Sequence, residues 1–220
     1  MSHLDFISLV HKQTPRDYLG RVNEFPKAEA AAIAKRFDRD YWDGDRKVGY
    51  GGFRYDGRWR VVAERMAAHY GLKPGDRILD VGCGKAFLLY EFTQVVPGIE
   101  VMGLDLSAYA LAHAKEEVRP FLVEGRADHL PFEDGAFDLV LSINTLHNLP
   151  CYELEAALRE IERVGRRSKF ICVESYRNEA EKANLLYWQL TCEAFNTPEE
   201  WAWWFHLTGY SGDHGFIFFE

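Results

Sequence analysis

Two carboxylates and a pair of glycines carry the clearest chemistry in the sequence. Asp80-Val81-Gly82-Cys83-Gly84-Lys85-Ala86 follows the aliphatic run Ile78-Leu79 and passes straight into Phe87-Leu88-Leu89. Glycine in such a turn takes positive φ and lets a ligand approach the backbone with no Cβ in the way. A Gly-x-Gly pair by itself also occurs in ordinary turns. What strengthens this one is Asp105, closing Gly103-Leu104-Asp105, at about the 20-residue separation that brings a carboxylate to a ribose hydroxyl pair in doubly wound sites. A dinucleotide site wants a third glycine where this chain has Phe87, so that a helix N-terminus receives pyrophosphate. Asp80 would repel a pyrophosphate, yet it accepts hydrogen bonds from a cationic amino group. The pattern points to a nucleoside that carries an amino acid.

A second set of residues suits the other half of a group transfer. Ser142-Ile143-Asn144-Thr145-Leu146-His147-Asn148 ends one strand-like run, and Val173-Glu174-Ser175-Tyr176 ends the next. Transfer to oxygen or nitrogen needs in-line placement of a nucleophile, and a hydroxyl acceptor gains from a base that takes its proton. His147 is the first candidate base, since an unperturbed imidazole is largely neutral near pH 7. A pocket-lining structural histidine is the plainer alternative. Glu174 is the second candidate, as base or substrate anchor, against the reading of a paired turn residue.

The elements that must position these residues are legible around them. Arg77–Val81, Val101–Asp105, Phe137–Ile143 and Lys169–Val173 are short and rich in branched aliphatics, with Pro120–Val123 a weaker fifth strand. Leu154, Ala157, Leu158, Ile161 and Val164 share one helical face, with Gly165 placed to end the helix. Trp59, Val62, Ala63, Met66 and Tyr70 form another such stripe, best read as core packing. This alternation predicts an α/β fold, a doubly wound and mostly parallel sheet with helices on both faces. At 220 residues the chain suits one such domain. It divides into an N-terminal helical and lid segment, 1–60, and a core, 61–220, with an aromatic cover over 176–206. The stretch Tyr41 to Arg60 mixes aromatics, glycines and arginines, and its Tyr50, Arg54, Tyr55 and Arg58, with Tyr176 from the cover, are the expected substrate contacts. Arginine offers forked donors to carboxylate or phosphate. Individual aromatics of this stretch are as readily explained by packing on the core.

Ile78 to Phe87, Val101 to Ser107, Gly125 to Phe132 and Phe137 to Leu149 resemble, in order and spacing, the successive motifs of class I S-adenosylmethionine-dependent methyltransferases. The resemblance covers about half the chain. It implies a Rossmann-like sheet of seven strands whose last, in Gly215-Phe216-Ile217-Phe218-Phe219-Glu220, is antiparallel. It implies that Asp80, Gly82 and Gly84, with Cys83 between them, border the methionine moiety of S-adenosylmethionine. Asp105 then holds the ribose with Leu106 beside it, Asp128 and His129 lie beside the adenine, and Asn144 faces the donor. Ala86 departs from the family, which usually has a third glycine there. The Asn/Asp-Pro-Pro-Tyr signature of related families is replaced by Asn144-Thr145-Leu146-His147, which disfavours methylation of DNA adenine or glutamine side chains. Tyr41-Trp42-Asp43-Gly44-Asp45 and Val173 to Asn178 also resemble small methyltransferases of bacterial capsule and surface-polysaccharide pathways. That likeness implies a sugar nucleotide or phosphorylated metabolite as acceptor.

Bulk properties bound the partners. A net charge of -8 opposes attraction to phosphate backbones, so nucleic acid is not expected. No apolar run approaches the roughly 20 residues of a membrane span, and the acidic start Met1-Ser2-His3-Leu4-Asp5 does not read as a signal peptide. A cytoplasmic location is expected. The four cysteines lack metal-ligand spacing and read as reduced packing residues, and no metal is expected. The expected function is methylation of a small polar molecule, oxygen being favoured over nitrogen. Its rivals are another use of the same cofactor, as in a lyase or other group transfer, and a non-catalytic partner subunit.

Overall fold

The computed structural model describes residues 1–12 and 14–220. Four short helices come first: α1 (Ser8–His11), α2 (Tyr18–Glu24), α3 (Lys27–Ala34) and α4 (Arg39–Asp43). The alternating region follows as α5 (Arg60–Tyr70), β1 (Arg77–Val81), α6 (Phe87–Val95), β2 (Glu100–Asp105), α7 (Ala108–Ala112), β3 (Leu122–Glu124), β4 (Phe137–Ile143), α8 (Cys151–Val164) and β5 (Gly165–Glu174). The chain then runs through α9 (Glu179–Trp188), α10 (Pro198–Thr208) and β6 (Asp213–Ile217).

Successive strand side chains point to opposite faces of the sheet, and β1 shows the result. Ile78 packs on one side with Val62, Met66, Leu89 and Phe92 of α5 and α6. Leu79 and Val81 pack on the other with the stripe Leu154, Ala157, Leu158, Ile161 and Val164 of α8, and with Trp201 and Phe205 of α10. All five stripe residues of α8 are fully buried. Gly165 does end α8, but with extended φ and ψ, so the chain passes directly into β5, which starts four residues before the expected Lys169. α10 is held at its start by a capping box: Thr197 Oγ1 accepts from the Glu200 amide while the Thr197 amide donates to the Glu200 carboxylate.

The sheet order is β3-β2-β1-β4-β5-β6, and every neighbouring pair is parallel. Two expectations are corrected here. The sheet has six strands among the described residues, not seven, and the last one, β6, is parallel to β5, with Phe170 opposite Asp213 and Glu174 opposite Ile217. A parallel return needs a crossover, which α9 and α10 supply, whereas an antiparallel strand would have had to enter from the opposite end. The open edge of β6 is partly covered by the N-terminal strap, in which the Leu4 amide donates to the His214 carbonyl and the His214 amide to the Ser2 carbonyl. Beyond that pairing Phe6, Ile7 and Val10 join the core on the α5–α6 side.

The chain leaves β1 towards β2 on one side and returns through β4 on the other, so the switch point lies above the carboxyl ends of β1 and β4. Open α/β sheets bind ligands there. Among the described residues no helix is long and apolar enough to cross a membrane, and no His/Cys/Asp/Glu cluster is arranged to hold a metal. Cys172 and Cys192 are buried as packing residues would be, whereas Cys151 is exposed at the start of α8, outside the apolar face.

Candidate active site

The loop after β1 is shaped by what passes over it. Gly82 has φ 83°, and a Cβ there would lie 2.0 Å from Thr145 Oγ1, across the switch point. Gly84 has φ 54°, and a Cβ there would meet the Trp42 ring at 2.7 Å. Both conditions exclude side chains. Ala86 also sits in the left-handed region, φ 55°, fully buried just before α6. Alanine therefore carries there a strain of order 1 kcal/mol that glycine would avoid.

The loop is tied to β2 through Asp105, whose carboxylate accepts the Gly84 amide at 2.7 Å and the Ser107 amide at 2.8 Å. Burial raises the Asp105 pKa, and those amide hydrogen bonds counter it. Asp80, one strand over, is 5% exposed, and its Oδ1 has no hydrogen-bond partner. Burial, and secondarily the nearby Asp105 charge, push its carboxyl up to about 7. A buried carboxylate with an unsatisfied oxygen is costly unless a ligand completes it. Asn144 has φ 57° and a second buried oxygen, Oδ1, without a partner. These unpaired acceptors suit the cationic amino-acid end of S-adenosylmethionine.

Asp80 and Asp105 open into a cavity of about 640 Å³, within the range of small-molecule sites. Gly82, Cys83, Gly84, Leu106, Asp128 and Asn144 also line it. His129 does not. It is exposed, and its amide bonds the Arg126 carbonyl. Asp128 is held by Arg126 at 3.0 Å, and Arg126 reaches on to Glu153 at 2.8 Å, forming the rim.

The stretch from Tyr41 to Arg60, the expected lid, is pinned to the glycine loop by groups to which the sequence reading gives no role. Lys85 Nζ, almost fully buried, contacts Asp43 Oδ1 and Oδ2 at 2.7 and 2.6 Å and the Phe53 carbonyl at 2.9 Å. Trp42 donates from Nε1 to Ser107 Oγ at 2.9 Å. Tyr50 stacks on Trp42 with ring centroids 5.4 Å apart and lines the cavity, as do the exposed Arg54 and Arg58. Tyr55 turns away, donating to Glu91 Oε1 at 2.6 Å, and Tyr176 is buried in the α5–α6 core.

The two expected bases lie together, but only one reaches the cavity. Glu174 lines it, and Gln189 donates to its Oε1. Burial pushes the Glu174 carboxyl up to about 8, against the Gln189 hydrogen bond and the charge of Arg16. His147 stands behind it, 2% exposed and off the cavity wall. Its Nδ1 accepts the Glu174 amide at 3.3 Å, so the proton lies on Nε2, 3.4 Å from Glu174 Oε2. Burial lowers the His147 pKa to about 3. The same wall carries His11, Arg16, Trp188 and Phe219, none of them singled out as individual site residues by the sequence reading. Trp188 and Gln189 fall inside the expected aromatic cover, and Lys85 inside the glycine motif. Nothing in the local pattern marks His11 or Arg16.

A cavity at the switch point of a doubly wound sheet, with Asp80 and Asp105 at the carboxyl ends of β1 and β2, has the form of a nucleoside-binding class of protein. Residues 79–173 match the family described as a methyltransferase domain. That segment is a methyltransferase domain, and S-adenosylmethionine is the methyl donor such domains bind. The chain is 38% identical over 125 residues to a demethylmenaquinone methyltransferase of Bacillus cytotoxicus, covering 53% of this chain and 51% of the relative. It is 31% identical over 159 residues to the enzyme of that name from Lysinibacillus sphaericus, covering 70% and 66%. The chain thus spans between 51% and 66% of the length of these two curated relatives. Both are named for a demethylmenaquinone and not for a surface polysaccharide. The fold is shared with a solved protein structure from Bacillus halodurans, at a TM-score of 0.55 and 19% identity over 67% of this chain and 68% of that one.

Proposed function

We propose that the chain transfers the methyl group of S-adenosylmethionine to an oxygen of a small polar acceptor seated between Glu174 and the lid. The observation that carries this reading is the continuity of the cavity. One space joins Asp80 and Asp105 at the cofactor end to Glu174 at the other. Bound S-adenosylmethionine supplies an electrophilic sulfonium methyl. Glu174 is the residue placed to take the proton of an acceptor hydroxyl. Because burial pushes it to about 8, its ionised form is a stronger base than an ordinary carboxylate. His147 packs behind it, its Nδ1 accepting the Glu174 amide and its Nε2 3.4 Å from Oε2 without a hydrogen bond, and acts through Glu174 as a positioning residue. Trp42, Tyr50 and Phe53 of the lid keep water from the reacting atoms.

A quinone of the kind in the relatives' names is the competing acceptor. The presence of Arg16, Arg46, Arg54 and Arg58 on the cavity wall favours a polar one. Calorimetry with S-adenosylhomocysteine, followed by mass spectrometry of small-molecule extracts incubated with protein and labelled methyl donor, tests the reading. Binding plus one new methylated product is expected. No nucleoside binding, or a product that has gained a different group, would replace it by another reaction or by a non-catalytic role.

A further inference from the structure

We propose that the acceptor carries an oxyanion, a carboxylate or a phosphate, and that Arg16 of the N-terminal strap, together with Arg46 of the lid, is its seat. This rests on the methyl-transfer reading for what happens to the acceptor, but the seat itself is argued from the cavity wall alone.

The strap is a fixed part of the fold. Its residues 2–4 pair with β6, and Phe6, Ile7 and Val10 are buried in the core. That anchoring delivers His11, Thr14 and Arg16 to the cavity. The Arg16 guanidinium lies 5.5 Å from the Trp188 ring centroid and 5.2 Å from that of Phe219. Its Nη1 donates to the Thr14 carbonyl at 3.1 Å, and its Nη2 to His11 Nδ1 at 3.1 Å and the His11 carbonyl at 3.2 Å. A guanidinium has five N–H donors, so two remain, including the buried and unpartnered Nε. Arg46 approaches the same Trp188 ring, at 5.2 Å, and among the described residues donates only to backbone, to Gly49 and Tyr50 carbonyls at 3.3 and 3.0 Å.

Among the described residues neither arginine has a carboxylate partner. Glu174 feels the charge of Arg16 without pairing with it, and burial keeps much of its carboxyl protonated near neutral pH. Burial also lowers the pKa of both arginines. A part-buried cation without counter-charge, Arg16, with the exposed Arg46 across the same ring, is unfavourable until an anion arrives, and forked, charge-assisted hydrogen bonds then repay the desolvation. The surplus is local, since the whole chain carries -8. None of the Arg16 contacts, to His11, Thr14, Trp188 or Phe219, involves the glycine loop, which places the seat away from the cofactor end. An acceptor held there by its anion, with a hydroxyl towards Glu174, is a hydroxy acid or a hydroxylated phosphate ester.

The test uses the full chain saturated with S-adenosylhomocysteine and calorimetry with para-hydroxybenzoate, glycerol phosphate and glycerol as probes. At least one anionic probe should bind, and glycerol should not; which anion binds separates carboxylate from phosphate. Arg16→Met, which keeps the length and loses the charge, should weaken that probe by about tenfold to a hundredfold. Affinity for S-adenosylhomocysteine should stay within about twofold, and Arg16→Lys should recover part of the loss. If Arg16→Met fails to fold, as judged by its Tm, Arg46→Met carries the same expectation. Equal binding of glycerol, or no anionic probe bound more tightly than about 1 mM, overturns the proposal. A parallel loss of S-adenosylhomocysteine affinity also overturns it, because Arg16 would then hold the carboxylate of the cofactor. If the wild-type chain does not bind S-adenosylhomocysteine at all, the methyl-transfer reading falls, while an anion bound by wild type and not by Arg16→Met still assigns the seat.

Discussion

The cofactor half of the cavity is built from residues 80 to 105, joined across the switch point by Asn144 and Thr145, whereas the acceptor half draws on residues as far apart as Ile7 and Phe219. In the first half neighbouring backbone does the shaping: Gly84 and Ser107 amides fix Asp105, and the bulk of Thr145 excludes a side chain at Gly82. In the second, the N-terminal strap, the 41–60 stretch and the chain after β5 all contribute side chains, and only tertiary packing brings them together. The difference separates what is held by turn geometry from what is held by assembly. It predicts that substitutions in the two halves fail in different measurements.

Glu174→Gln should have the largest effect. Removing a general base typically costs about 10²- to 10⁴-fold, so kcat should fall by that order with S-adenosylhomocysteine affinity nearly unchanged. The wild-type rate should rise with pH through about 8, where Glu174 ionises, and the variant should lose that limb. Stability runs the other way. A carboxyl whose folded pKa is raised from 4.5 to about 8 binds more protons in the folded than in the unfolded state, so its ionisation erodes stability as pH rises across that window. The Tm of Glu174→Gln should therefore exceed that of wild type at pH 9 and differ little at pH 5. Equal loss of binding and rate would place Glu174 in the cofactor half and break the comparison.

Asp105→Ala should produce the opposite signature. Hydrogen bonds to a buried charged group are worth about 1.5–3 kcal/mol each, and the carboxylate also orders the Gly84 amide, so S-adenosylhomocysteine should bind on the order of a hundredfold more weakly. With saturating cofactor, kcat should recover most of its wild-type value. In the unmodified protein cofactor affinity should fall as pH drops below about 7, where Asp80 takes up a proton and no longer attracts a cationic amine. A loss under about threefold in Asp105→Ala, smaller than one neutral hydrogen bond contributes, would move the ribose elsewhere.

These contrasts also mark how far the sequence reads. That Asp80, Gly82, Gly84 and Asp105 line one cavity is legible because they sit within one β-turn-α-β unit, where spacing along the chain is spacing in the structure. The α8 stripe was legible for the same reason. His147 and Glu174 were both named, and their strand-end positions do bring them within 3.4 Å. Their ranking depends on which one faces the cavity, and periodicity at a strand end does not record that. Arg16 was not named at all, since its place depends on the strap pairing with β6 from across the chain. The antiparallel direction expected for β6 comes from the family resemblance alone, since an edge strand reads alike in either orientation, and the α9–α10 crossover instead returns the chain parallel to β5.

His147→Ala should have an intermediate effect, about tenfold on kcat, with KM for the acceptor and cofactor affinity preserved. The imidazole is neutral throughout the working range, its pKa lowered to about 3 by burial, so it contributes packing and an acceptor for the Glu174 amide and not a titrating base. Removing the ring that helps to bury Glu174 should relax the desolvation that raises its carboxyl and move the rate limb to lower pH. His147→Gln, whose amide oxygen can still accept from the Glu174 amide, should restore part of both. A loss as large as that of Glu174→Gln, with the limb left in place, would return the base role to the histidine.

Asp128→Ala should have the smallest effect, although the family likeness places this residue beside the adenine. Its carboxylate is already engaged by Arg126, itself bonded to Glu153, and the trio stands at the rim of the cavity with Arg126 more than half exposed. Ion pairs and hydrogen bonds at exposed sites contribute about 0.2–1 kcal/mol, which corresponds to a loss of S-adenosylhomocysteine affinity of no more than about fivefold. Because the rim interaction is screened by salt, the difference between variant and wild type should shrink further at high ionic strength, whereas the Asp105→Ala difference, arising from a group 8% exposed, should persist. Measuring both variants at low and high salt compares a rim contact with a floor contact inside one half of the site. A salt-independent loss at Asp128 as large as that at Asp105 would show that the bound nucleoside draws the rim closed, and would add Asp128 to the groups that hold the cofactor by burial.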